Sequence, residues 1–342
     1  MDLPIRLVEA RTAEKLVSVD GAWNQPGLNL SHWPGNTTPP ELKRDLSTEV
    51  VFAFQKLPQE RRAELSRGCV ALANNHYDTD GICALFAARH PERALRLERE
   101  LVDIARAGDF FQLPSERAFQ LDVVLNGLVD PDRSPWRDRF AGLDDRARRE
   151  LVMCAAVDTL DDVVTGDLDR FDVLWRGPLE RLRADRAALA SCTRDDIAHL
   201  DLCVFTARGT RAFDPGRHAL FGSTAAGRIL AIGERPTGAT YRFLIGTSSW
   251  FDLVTPRILA RPALAELSRR LNALEGSDEN SEVAWRHHLD LTPSPELWFG
   301  REGQPLFSEH APCLEPSRLA PAIVRREILE ALRANWEFPD DA

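Results

Sequence analysis

Three side chains able to bind a metal alternate along Asn74-Asn75-His76-Tyr77-Asp78-Thr79-Asp80-Gly81: His76, Asp78 and Asp80. The spacing matches the opening of an EF-hand calcium loop, in which acids recur at every second position and a glycine follows. The match ends there. His76 stands at the first position, where hard Ca²⁺ takes oxygen, and Ala87 stands at the twelfth, where a bidentate glutamate is needed. An imidazole with two carboxylates suits Mn²⁺, Fe²⁺ or Zn²⁺, and the carboxylates alone suit Mg²⁺. The chemistry implied is metal-assisted: polarising an anionic group and lowering the pKa of water.

Such ligands need rigid supports. The apolar run 68–73, "GCVALA", reads as a strand leading into the loop, and a helix is expected from Ile82 to His90, stopped near Pro91. Gly81 is expected to let the backbone turn into that helix. Upstream, "EKLVSVD" (14–20) reads as a strand ending at Asp20, with Gly21 as a turn signal, and "GLNLSH" (27–32) as a strand ending at His32. "STEVVFAFQKL" reads as a helix with Ser47 or Thr48 as N-cap and Pro58 just beyond its end. Strands alternating with helices predict a parallel α/β sheet, with ligands gathered beyond the carboxyl ends of its strands.

Residues 92–200 are mostly helical in pattern, with apolar positions at helical spacing, and their many acids read as solvated helix faces. From residue 201 the pattern changes to strands, "LCVFTARG", "GRILAIGER" and "ATYRFLIG", the last two joined by the turn "RPTG". Two further helices close the chain. The expected organisation is an α/β core over 1–215 that includes the helical segment 92–200, and a smaller α+β C-terminal domain over 216–342, with substrate held in the cleft.

"NHYDTDGICALFA" resembles the first motif of the DHH phosphoesterase superfamily, in which His-x-Asp-x-Asp and a following glycine end a strand and open a helix. Val19-Asp20-Gly21, Leu30-Ser31-His32-Trp33-Pro34, Pro39-Pro40 with Asp45, and Ser47-Thr48-Glu49 resemble the later motifs. Here they precede the first, as in a circularly permuted core. A parallel sheet tolerates that order, because its ligands meet at one edge whatever the chain sequence. The resemblance covers about residues 15–90 and lacks the family's glycine-rich C-terminal substrate motif. It implies His76, Asp78, Asp80, Asp20 and His32 as ligands of divalent metal, Mn²⁺ above all, with Asp45 as a sixth. It also implies that Asp20 bridges two ions, and it places Asp20, His32 and Asp80 at the catalytic centre of a phosphoester or phosphoanhydride hydrolase. One departure matters. Ser31-His32-Trp33 stands where the family has Asp-His-His, and tryptophan cannot give a proton to a leaving group. Group transfer, or binding of metal or nucleotide without turnover, are therefore the alternatives to hydrolysis.

Downstream, Arg242, Arg257 and Arg208 are candidates to meet an anionic substrate, guanidinium being suited to phosphate and carboxylate. "GTSSW" offers Ser248 and Ser249, but no G-x-S-x-G elbow surrounds them, so they are expected to bind an anion, not to attack. Of His287-His288, adjacent residues expected on a helix, at most one can serve a site. No P-loop and no G-x-G-x-x-G is present, so ATP and NAD have no sequence support. The net charge of −10 argues for a small anionic substrate over a long nucleic acid. No apolar run reaches the roughly 18 residues of a membrane helix. The first fifteen residues carry acids and no apolar stretch, so no secretory signal is expected. The six cysteines form no CxxC pair and read as reduced thiols of a cytoplasmic protein.

Overall fold

Four short strands, β1 (Ile5–Leu7), β2 (Leu16–Val19), β3 (Gly27–Leu30) and β4 (Leu72–Asn74), pair in the order β1-β4-β2-β3, every pair parallel. Strands in such a sheet are covered on both faces, which is why they read as near-continuous apolar runs. Leu16, Val17, Val19, Leu28, Leu30 and Leu72 are all buried. The sheet belongs to the α/β class expected. β1 was not expected, because "IRL" is too short to display a period. The computed structural model describes residues 2–21, 24–209, 213–256, 258–306 and 309–334.

Helices α1 (Ser47–Gln55), α2 (Gln59–Leu65), α3 (Thr79–Arg89), α4 (Pro91–Leu95), α5 (Glu98–Phe110), α6 (Glu116–Gly127), α7 (Asp145–Thr165) and α8 (Asp172–Ala190) follow the chain. α3 is buried from Thr79 to Ala88, as a helix apolar on all sides must be, and packs against α1, α5 and α7. Ile82, Leu85 and Phe86 of α3 join Val50 and Phe54 of α1, Ile104 of α5 and Val157 of α7 in one core.

The chain divides into two compact units, Met1–Arg181 with Phe251–Pro256, and Leu182–Trp250 with Arg257–Ala342, so the boundary falls within α8. The second unit contains β5 (Thr193–Ile197), β6 (Leu202–Arg208), α9 (Arg217–Phe221), β7 (Arg228–Arg235), β8 (Gly238–Ile245), α10 (Leu264–Glu275), β9 (Ala284–His287), β10 (Glu296–Leu306), β11 (Glu309–Leu314) and α11 (Pro321–Ala334). Its sheet runs β11-β10-β8-β7-β6-β5, with β9 also on β10, and mixes parallel (β6 with β7) and antiparallel pairing. The "RPTG" turn is a two-residue hairpin connection, with Arg235 opposite Gly238. β5 is a strand inside the segment read as helical. It is an edge strand, "TRDDI", with four of its five residues exposed, so no alternation marks it. Tyr241, Phe243, Trp285, Leu297, Val324 and Ile328 form this unit's core beneath α10 and α11. No helix among the described residues is long and apolar enough to cross a membrane.

Candidate metal centre

The site grows from three neighbouring strand ends of the parallel sheet. β4, β2 and β3 lie side by side and run the same way, so the residues leaving their carboxyl ends emerge about 4.8 Å apart. β2 leads directly to Asp20, β3 leads to His32, and β4 leads to His76 and Asp78. Asp20 has φ 55° and Gly21 φ 73°, two successive left-handed residues that stop the strand. For Asp20 this conformation costs about 1–2 kcal/mol, although short polar side chains adopt it more readily than most. Gly21 admits no side chain: a Cβ there would lie 2.2 Å from Asn75 Oδ1. Gly81 plays another part than the turn expected of it. It lies within α3, where a Cβ would meet Asn74 Nδ2 at 2.1 Å and Asp78 Oδ1 at 2.9 Å.

Two groups of side chains that could each hold a metal ion result, and they share Asp20. In the first, one atom each from Asp20, His32 and Asp80 lies within 4.8 Å of the others, and all three residues are buried. In the second, Asp20, His76 and Asp78 do the same, with His76 and Asp78 partly exposed. His32 Nε2 stands 3.6 Å from Asp20 Oδ1 and 3.8 Å from Asp80 Oδ2. His76 Nε2 stands 3.2 Å from Asp20 Oδ2 and 2.8 Å from Asp78 Oδ2.

Each carboxylate is held by donors that fix its direction. Asp20 Oδ1 accepts the Ser47 hydroxyl at 2.8 Å and the Trp33 indole N–H at 2.8 Å. Asp80 accepts the backbone N–H groups of Ser47 (2.8 Å) and Thr48 (2.9 Å), and so caps α1 from another helix. The N-cap position of α1 is Leu46, without a capping side chain, so Ser47 and Thr48 are capped residues and not the cap. A carboxylate at that helix start also meets the positive end of the helix dipole. Asp78 caps α3, accepting the Gly81 N–H at 2.9 Å.

Both imidazoles are oriented alike. His32 Nδ1 is 2.6 Å from the Asp45 main-chain oxygen, which can only accept, so Nδ1 carries the proton and Nε2 faces the carboxylates. His76 Nδ1 is 2.7 Å from Asn75 Oδ1, with Nε2 again facing acids. This is how metal-binding histidines are held: the far N–H is anchored and the near nitrogen is presented. Two polar atoms stay without a hydrogen bond although buried, Asp20 Oδ2 and His32 Nε2. A further acid closes in: Asp109, at the end of α5, brings Oδ2 to 3.2 Å from His32 Nε2. Four carboxylates thus crowd around two imidazoles.

The electrostatics follow. Burial and the charge of Asp78 raise the Asp20 carboxyl above its usual range, and burial with the neighbouring Asp20 lifts Asp80 to about 6. Burial also puts Asp109 well above its usual range, with Asp80 adding to it. Burial alone would lower both imidazoles, yet the surrounding acids outweigh it. Asp109, Asp80 and Asp20 push His32 up to about 10, and Asp78, Asp20 and Asp109 push His76 up to about 9. Burial would raise Asp78 too, but His76 and the Gly81 N–H hold it below its usual range. Excess acid, two orphaned buried atoms and two anchored imidazoles are the surroundings a divalent cation satisfies, so the residues fit a metal.

The remaining expectations fare differently. Asp45 does not join either set: its carboxylate accepts the N–H groups of Val254 (2.8 Å) and Thr255 (3.0 Å), while its main-chain oxygen holds His32. Arg242 is committed elsewhere, to Glu296, Asp214 and the Pro215 carbonyl, which leaves no open fork for an anion. Arg257 lies outside the described residues. Arg208 is exposed and pairs with Glu234. Ser248 sits in a short 3₁₀ turn, Thr247–Ser249, of the second unit, and Ser249 accepts from Arg261. His287 and His288 are not helical. His287 ends β9 opposite Leu297, and His288 is buried against Trp298. Asp109 was missed, because "ARAGDFF" reads as the end of an amphipathic helix. Its only signal is an acid set directly before two phenylalanines.

A family model described as "Family of unknown function (DUF6687)" matches residues 5–342. The chain belongs to this family. No curated protein matches it. Among solved structures it is similar to the pGpG-specific phosphodiesterase PggH from Vibrio cholerae, at 9% identity and a TM-score of 0.36, over 96% of this chain and 86% of that one.

Proposed function

We propose that this protein is a divalent-metal-dependent phosphoesterase that hydrolyses a phosphoester or phosphoanhydride bond in a small anionic molecule or a short oligonucleotide. The observation that carries the reading is the double ligand set joined at Asp20, with both imidazoles anchored through Nδ1. The resemblance of the motifs around Asp20, His32 and His76 to the DHH superfamily supports it. Asp20, His32 and Asp80 would hold one ion, and Asp20, His76 and Asp78 the other. The donor set suits Mn²⁺, with Fe²⁺ and Zn²⁺ as competitors. When bound, such a pair supplies polarisation of phosphoryl oxygens and water of lowered pKa.

The protein's own residues do the rest. Trp33 and Ser47 hold Asp20 between the two sets, and the start of α1 fixes Asp80. Phe110 and Phe251 pack on the His32 ring and exclude water on that side, and Trp33 packs edge-on against both Phe251 and His76. His76 and Asp78 keep 27% and 30% of their side chains exposed, so substrate is received there. Trp33 spends its N–H on Asp20 and has no proton to transfer, which favours leaving groups that depart unprotonated, as in an anhydride. The same observation supports a second reading, transfer of the phosphoryl group to an acceptor other than water.

Elemental analysis of the purified protein beside Asp78→Ala and Asp20→Ala tests the reading, followed by a screen of phosphoesters and anhydrides with Mn²⁺. Wild type should hold two ions and turn over a member of the screen. A wild type that stays metal-free when Mn²⁺ is supplied sinks the proposal.

A further inference from the structure

Residues Phe251–Pro256 belong to the first unit, although the chain on either side of them belongs to the second. This short strap docks on His32 at several points. The Phe251 ring stacks on the imidazole with centroids 4.0 Å apart and planes at 16°. The Asp252 N–H donates to the His32 carbonyl at 2.8 Å. The N–H groups of Val254 and Thr255 both donate to Asp45 Oδ1, and the Asp45 main-chain oxygen in turn holds His32 Nδ1. The strap is fastened by its own carboxylate: Asp252 accepts from Lys43 Nζ at 2.6 Å and from Asn36 Nδ2 at 3.0 Å. Ring face, main chain and Nδ1 of one histidine are therefore all set by the strap, directly or through Asp45. The His32 side chain is fully buried, and its Nε2 is left without a hydrogen bond, aimed at the carboxylates.

His76 and Asp78 have anchors of their own, although Trp33, which touches Phe251, also packs edge-on against the His76 ring. Asn75 Oδ1 anchors the His76 imidazole, and the Gly81 N–H anchors Asp78.

We infer that the Phe251–Pro256 strap and Asp45 are positioning elements chiefly for one of the two ligand sets: they fix His32 for the ion at Asp20, His32 and Asp80, in preference to the ion at Asp20, His76 and Asp78. The inference rests on the metal-dependent reading above. It gives Asp45 a part distinct from that of a ligand. A buried aromatic ring and an anchored Nδ1 restrict the imidazole to one orientation, and loss of such outer contacts weakens metal binding by about 10–100-fold.

The test uses the full-length protein, stripped with chelator and titrated with Co²⁺, whose visible absorption reports each ion as it binds. Wild type should take up two ions. Asp45→Ala should weaken one ion by about 10–100-fold and leave the other unchanged, and Phe251→Ala should weaken that same ion by more than the other, since Phe251 also touches Trp33 beside His76. Asp45→Asn should bind as wild type, because its amide oxygen still accepts the Val254 and Thr255 N–H groups. The spared ion should be the one that Asp78→Ala removes. Should Phe251→Ala fail to fold, the Asp45 pair carries the test alone. Equal weakening of both ions, unchanged binding in both truncations, or loss in Asp45→Asn as large as in Asp45→Ala would overturn the strap's role while leaving the phosphoesterase reading intact. A wild type that takes up fewer than two ions would end the inference, and one that takes up none would end both.

Discussion

In the second unit, the carboxylate of Glu296 on β10 is 1% exposed, and both its oxygens are occupied: Arg242 Nε donates to one at 2.5 Å, and Arg217 with Arg242 to the other. Asp214 completes the group through Arg242. Two carboxylates meet two guanidiniums in forked geometry, and charge and hydrogen bonds both close. The first unit buries charge in the opposite way. Asp20, Asp78, Asp80 and Asp109 outnumber His32 and His76, and two atoms at the centre have no hydrogen-bond partner. A closed cluster holds structure together. In the open one, the start of α1, the Trp33 indole and Phe251 pack against its members, and its excess of acid is the environment a divalent cation could satisfy. Arg242 was read as a substrate contact because arginine is the residue of anion recognition. In the structure its anion is Glu296.

The largest expected effect breaks the closed cluster. Glu296→Ala strands two partly buried guanidiniums and should cost about 3–5 kcal/mol in the urea unfolding of the protein, with metal content unchanged. Loss of metal in that variant would show that the two clusters are not independent. Next, Asp20→Ala removes the residue common to both proposed ligand sets. Affinity for both ions should fall beyond the roughly 100-fold that marks outer-contact changes, with a smaller effect on apo stability. Retention of one ion at full affinity would mean that Asp20 is not shared.

The pH dependence separates the clusters further. Burial would raise the Glu296 carboxyl, but Arg242 and Arg217 outweigh it and hold it at about 2, against an ordinary value of 4.5. A depressed pKa means that the unfolded chain binds the proton first. The stabilisation is therefore complete above the ordinary value and is lost as pH falls towards about 2, up to about 3 kcal/mol in all. Urea midpoints of wild type should drop between about pH 6 and pH 3 by more than those of Glu296→Gln. Parallel curves would refute that assignment. The smallest effect belongs to Arg208→Ala: an exposed pair with Glu234 should be worth less than about 0.5 kcal/mol, with no change in metal content.

Much of the site was legible because it is local. His76, Asp78 and Asp80 lie within five residues, at the junction of an apolar run and a helix, and both flanking elements are present. Asp20 and His32 close short apolar strands, but only the resemblance of their motifs singled them out beside His76, Asp78 and Asp80. What escaped has no local mark. Asp109 carries the pattern of a solvated helix face until α5 is packed against α3. β5 is too charged to read as a strand, and β1 too short. His287 and His288 were placed on a helix because "AWRHHLDL" is ambiguous in period, whereas pairing with β10 makes a strand of it.

The sequence by itself determined the donor types, their two-residue spacing, the parallel α/β class and the acidic balance, since these follow from composition and from periods of two and 3.6 residues. Only the tertiary structure decided which donors meet. The sheet order β4-β2-β3 brings Asp20 beside residues more than fifty positions away, Asp80 caps a helix that is not its own, and Phe251 stacks on His32 across more than two hundred residues. The physical reason is that strand neighbours and packing partners are chosen by burial of the whole core, a property that no short window of sequence contains.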